Sequence, residues 1–172
     1  MLLYSKTLFL CVALWLLAAC GFQPLYGSRG AGSQVEAALA DIQITRVKDR
    51  AGQQLHNYLL DRLNPRGAPA RPRFVLSVVS TINKTELGIE RDETATRAKL
   101  SLTAKFELRE IASQRILTSG AARSTNSFNI VDSDFATLSA EKDAIDRAAR
   151  VVSEEIKTRL SLYLNRFKDQ AR

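Results

Sequence analysis

Two features of this 172-residue chain have residue types and spacing that prescribe chemistry: a single cysteine behind a short apolar stretch, and a run of alternating cations. Cys20 follows Lys6, the apolar run Thr7 to Leu17, and the small residues Ala18 and Ala19. The run is about half the roughly 20 residues that a membrane-spanning helix needs. It falls within the roughly 7–15 of a secretory signal core with a small-residue cleavage site. The expected cut removes residues 1–19 and makes Cys20 the new N-terminus. Cys11 leaves with the signal, so Cys20 is the only mature thiol and no internal disulfide can form. Ordinary secretory cleavage would leave that thiol free, a liability in an oxidising compartment.

The second feature starts at Thr96. Leu100, Leu102, Ala104, Phe106 and Leu108 share one parity, and Arg97, Lys99, Ser101, Thr103, Lys105, Glu107 and Arg109 share the other. Such alternation predicts a strand with one buried and one wet face, as in an antiparallel sheet. Arg97, Lys99, Lys105 and Arg109 then form a basic row, which Arg115 and Arg123 extend on the following strand. Guanidinium and ammonium groups so arranged suit phosphate oxygens. A solvated sheet face, or contacts to a protein wall, would use the same residues.

Catalytic patterns are missing. His56 is the only histidine and lies beside the apolar stripe of a predicted helix, where a surface role is expected. No Gly-x-Ser-x-Gly elbow surrounds any serine, and no phosphate-cradling glycine loop joins a strand to a helix. Asp132 and Asp134 fall before a helix, where turn and cap roles are expected. The chain therefore reads as a non-enzyme. Its formal charge is +7, from 25 basic and 18 acidic side chains, and losing Lys6 leaves +6. A basic excess suits anionic partners. Export argues against nucleic acid and for anionic lipid or glycolipid.

These side chains need elements to position them. Gly21 to Tyr26, containing Phe22, Leu25 and Tyr26, is too apolar for a pure tether. Gly27 to Ser33 reads as a flexible linker. A first strand is predicted over Asp41 to Val47, then a helix capped by Asp49 that runs to about Leu63 and stops at Asn64-Pro65. Three strands follow, over Arg73 to Ile89, from Thr96 onward, and over about Gln114 to Phe128, with a turn near Asp92-Glu93. Gly120 marks a bulge or a close backbone approach. A long helix, capped by Ser139, closes the chain to Lys168, with a stripe of Ala144, Ala148, Val152, Ile156, Leu160, Tyr163, Leu164 and Phe167. The expected fold is α+β: a two-layer sandwich of a mixed four-stranded β-sheet with two α-helices on one face. The organisation is a signal over 1–19, an anchored segment and linker over 20–34, and one domain over 35–172.

Two resemblances sharpen this reading. Leu17-Ala18-Ala19-Cys20 resembles the lipobox of bacterial lipoproteins. It implies cleavage before Cys20, an S-diacylglycerol thioether on its sulfur and an N-acyl group on its amine, with no other cofactor. Cys20-Gly21-Phe22-Gln23-Pro24-Leu25-Tyr26-Gly27 resembles the mature start of the LPS-assembly lipoprotein LptE family of alphaproteobacteria. Phe128-Asn129-Ile130-Val131 and Phe135 to Ala144 are similar to that family's entry into its last helix. The resemblance implies a lipoprotein at the periplasmic face of the outer membrane. It would plug and help assemble an LptD-like β-barrel, and bind lipopolysaccharide for delivery to the cell surface. Gly21, rather than Asp, after the cysteine is compatible with outer-membrane sorting. The alternative expectation is an auxiliary lipoprotein of an ABC-type lipid transporter in the periplasm.

Overall fold

A computed structural model describes residues 31–89 and 95–169. Helix α1 (Ala31–Ala40) leads into strand β1 (Ile42–Ile44), helix α2 (Arg50–Leu63), and strands β2 (Phe74–Ile89), β3 (Ala95–Glu110) and β4 (Ile116–Asn129). Helix α3 (Asp134–Asp169) ends the chain. The four strands form one sheet in the order β1-β2-β3-β4. β1 runs parallel to β2, and the other two pairings are antiparallel. The expected mixed sheet is present. The turn at Asp92-Glu93, and Cys20 with the segment behind it, lie outside the described residues.

Each boundary has a local cause. The Asp49 carboxylate accepts from the Gly52 N–H at 2.8 Å and caps α2. Asn64 ends that helix and clamps β1, its Nδ2 donating to the Ala40 and Ile42 carbonyls at 3.1 and 3.2 Å. Pro65 follows and cannot extend the helix. Gly52 is required by close approach: a Cβ there would sit 2.5 Å from Val47 Cγ1. At Gly120 the approach is tight rather than prohibitive, since a Cβ would meet the Phe106 ring at 3.0 Å. That is the close approach the sequence left open; the bulge lies elsewhere, between Leu108 and Arg109.

The inner face of the sheet carries Leu76, Val78, Leu100, Leu102, Ala104, Leu108 and Ala122, all buried. Against them pack Leu55, Leu59 and Leu63 of α2, and Ala144, Ala148, Val152, Ile156 and Leu160 of α3. The alanines let α3 approach closely along β4. Tyr58 ties the two helices: its hydroxyl donates to Asp146 at 2.6 Å and accepts from Arg150 at 3.1 Å. The guanidinium groups of Arg62 and Arg150 each lie 5.3 Å from the Tyr58 ring centre. Hydrogen bonds to Tyr58 and then Asp146 raise the pKa of Arg150 above its ordinary value.

The two-helix expectation is corrected to three. Ala31 to Ser33, read as linker, open α1, which buries Val35 and Leu39 in the common core. Tertiary burial outweighs the weak local propensity of Gly32 and Ser33. The last helix starts at Asp134, not Ser139. Ser133 caps it, its carbonyl accepting from Thr137 at 3.0 Å, and Thr137 Oγ1 both donates to and accepts from the Val131 backbone. Asp134 in the first turn complements the helix dipole, as a cap-region residue should.

Candidate functional site: the open face of the sheet

The helices cover one sheet face, and no described residue covers the opposite face. Ser77, Val79, Thr81, Asn83 and Thr85 of β2 are exposed there, as are Ser119, Ala121, Thr125, Ser127 and Asn129 of β4. Between them, β3 presents Arg97, Lys99, Lys105 and Arg109, all exposed. The predicted basic row is therefore on one surface. From Arg97 to Arg109 it runs roughly 40 Å at about 3.3 Å per residue.

The register sets each cation's neighbours. Lys99 lies between Thr85 and Ser127, and Lys105 between Val79 and Ala121. Arg97 donates from Nε to the Asn129 side-chain oxygen at 3.4 Å. Arg109 pairs with Glu107 at 2.7 Å. Glu107 is the single acidic side chain on this face among the described residues, so the face is basic after that pair is discounted. Arg123, opposite Thr103, folds diagonally onto the sheet and donates from Nε to Ser101 Oγ at 2.7 Å. This lid explains why Ser101 is only 3% exposed on an otherwise open surface. Arg115 precedes β4, outside the strand; its carbonyl accepts from the Glu110 N–H at 3.0 Å, and its side chain is exposed. This pairing with Glu110 gives it the parity opposite to Arg109, so it does not extend the row as expected.

An open depression of about 610 Å³ crosses this face, lined by Ser77, Val79, Lys105, Glu107, Ser119 and Ala121. Small β4 side chains make it shallow, and Val79, 66% exposed, gives it an apolar floor beside the Lys105 ammonium. Aliphatic and cationic groups side by side suit an amphiphile with an anionic head or a polar protein surface. Sequence reasoning found the cations but missed Val79, Ser119 and Ala121. The signal was the run of small residues Ser119-Gly120-Ala121-Ala122 in β4.

Other candidates are less developed. His56 is half-buried on α2, with Nδ1 unpartnered. Among the described residues no group of three His, Cys, Asp or Glu is placed to hold a metal ion, and no helix is long and apolar enough to cross a membrane.

Comparisons with known proteins fit this fold. The chain is 24% identical over 159 residues to an uncharacterized protein of Rickettsia prowazekii, covering 92% of this chain and 98% of that one. It is similar to a solved structure described as a lipoprotein from Caulobacter crescentus, with TM-score 0.66, 20% identity, and coverage of 78% and 98%. A lipoprotein B of Nitrosomonas europaea matches with TM-score 0.54, 15% identity, and coverage of 72% and 83%. A minor lipoprotein of Acinetobacter baumannii gives TM-score 0.50, 18% identity, and coverage of 69% and 92%. At these identities the structures establish the shared fold. The family comes from the sequence pattern of LptE, described as lipopolysaccharide-assembly, which matches residues 38–160. This chain belongs to the non-enzymatic LptE lipopolysaccharide-assembly family.

Proposed function

We propose that the protein is an outer-membrane lipoprotein subunit of the lipopolysaccharide translocon, anchored through lipid on Cys20. In this reading it seats in an LptD-like β-barrel, assists that barrel's assembly, and binds lipopolysaccharide on its way to the cell surface. The observation that carries the reading is the division of the sheet. One face is sealed by α2 and α3; the other, among the described residues, is uncovered, polar and basic. A body inside a wet barrel lumen needs a rigid core and a polar face, and lipid A phosphates need cations. Arg97, Lys99, Lys105, Arg109, Arg115 and Arg123 are the candidate contacts, by charge-assisted hydrogen bonds to phosphate or to barrel carboxylates. Cys20 lipidation fits the Leu17-Ala18-Ala19-Cys20 pattern and keeps the domain at the membrane surface; more than one acyl chain makes release slow.

Affinity purification of the lipidated protein in mild detergent tests the reading. The expected partner is a large outer-membrane β-barrel. Recovery of inner-membrane transporter subunits alone would overturn it and favour the ABC-transporter reading.

A further inference from the structure

The two long edges of the sheet are treated differently. At the middle of β4, α3 blunts the edge: Arg159 donates to the Ala121 carbonyl at 2.6 Å, and Glu155 accepts from the Arg123 N–H at 3.3 Å. On the β2 side, β1 pairs only with Phe74 to Leu76, and Thr45 adds a bond to the Leu76 carbonyl. The chain after β1 screens β2 a little further, since Gly52 brings Val47 and Ser80 together. From Thr81 to Ile89 nothing described covers the edge. The Leu76 carbonyl faces the β1 side, so by the period of two the N–H and C=O groups of Ile82, Lys84 and Glu86 do as well. No main-chain partner meets them among the described residues. The stretch has no proline or bulge and only two charges. Natural edge strands normally carry such devices against pairing with another chain.

We propose that this edge pairs with the same edge of a second copy, joining two sheets across a two-fold axis at Thr85. The proposal goes beyond the functional reading and does not depend on it. Two properties of the strand favour this occupant. With the axis at Thr85, the free groups face each other in hydrogen-bonding register, and Lys84 lies opposite Glu86 of the second copy, twice by symmetry. Opposite charges directly across a ladder stabilise it. Lys84 already reaches Glu141 at 3.0 Å, whereas Glu86 has no ion pair among the described residues. The window is also self-limiting: Thr81 meets Ile89 of the second copy, so β1 of each molecule falls beyond the end of the other's β2. About eight main-chain hydrogen bonds result.

The test uses the chain from residue 20 with Cys20→Ser, which has no thiol of its own. Thr85→Cys places two sulfurs at a non-hydrogen-bonded pair about 4.5 Å apart between Cα atoms, within disulfide range. It should form a covalent dimer under mild oxidation, whereas Thr81→Cys, roughly 25 Å from its copy, should not. Sedimentation should show a concentration-dependent dimer that Lys84→Pro abolishes with the folded circular dichroism retained, since the main-chain group lost is an outward N–H and the Lys84–Glu141 pair lost with it is a surface one. Glu86→Lys should weaken dimerisation about tenfold, and adding Lys84→Glu should restore it. A chain that stays monomeric at all concentrations overturns the proposal, as does a dimer that survives Lys84→Pro or cross-links equally through Thr81→Cys.

Discussion

Asp49 shows how a single residue serves two conflicting demands. Its φ of 68° and ψ of 169° lie where glycine is at home, at a cost on the order of 1–3 kcal/mol for another residue. It is retained as a cap because its carboxylate satisfies the Gly52 N–H. Asp49→Ala keeps the strain and loses the cap, and should destabilise by about 1 kcal/mol in urea unfolding. Asp49→Gly relieves the strain and should cost less than the alanine variant; the opposite order would refute this account of the site. On the open face, Lys99 and Lys105 have exposed side chains with no hydrogen-bond partner among the described residues. Replacing both with Glu should weaken lipopolysaccharide binding in a direct titration without lowering the unfolding midpoint. Binding should also weaken as salt rises, because the contacts are exposed charges. Unchanged binding would make the two lysines solvated surface.

At the scale of elements, the packing of α2 against β1 and β2 depends on Gly52. Gly52→Ala drives a methyl into Val47 and should cost about 1–3 kcal/mol in thermal or denaturant unfolding. Val47→Ala in the same chain should recover part of the loss, since it opens the space; no recovery would place the cause elsewhere. The elements legible in the sequence were those with one buried and one wet face. β3 was readable to within a residue because Leu100 to Leu108 alternate against charges. α2 was readable because Asp49 and Asn64-Pro65 punctuate it. α1 was not, because its stability comes from Val35 and Leu39 in the core, while Ala31-Gly32-Ser33 has a linker's composition. The first turns of α3 were hidden for the reverse reason. Phe135 and Leu138 are exposed, so the inward stripe begins only at Ala144.

For the whole molecule, the central division is between a face sealed by helices and a face left open. The cations of the open face were legible from the parity of β3. Its shape was not, since the depression depends on which small β4 residues fall opposite Val79 and Lys105, and register is set by tertiary pairing. The Arg123 lid over Ser101 is likewise a contact between strands. The account assigns the partner to the open face and stability to the covered one. Site-specific photocross-linking in cells separates the two. A photoreactive residue at Lys99, Thr103 or Lys105 should capture an outer-membrane β-barrel or lipopolysaccharide, whereas one at Glu154 or Arg147 on the outside of α3 should capture much less. Equal capture from both positions, or capture from α3 alone, would contradict the assignment of function to the open basic face.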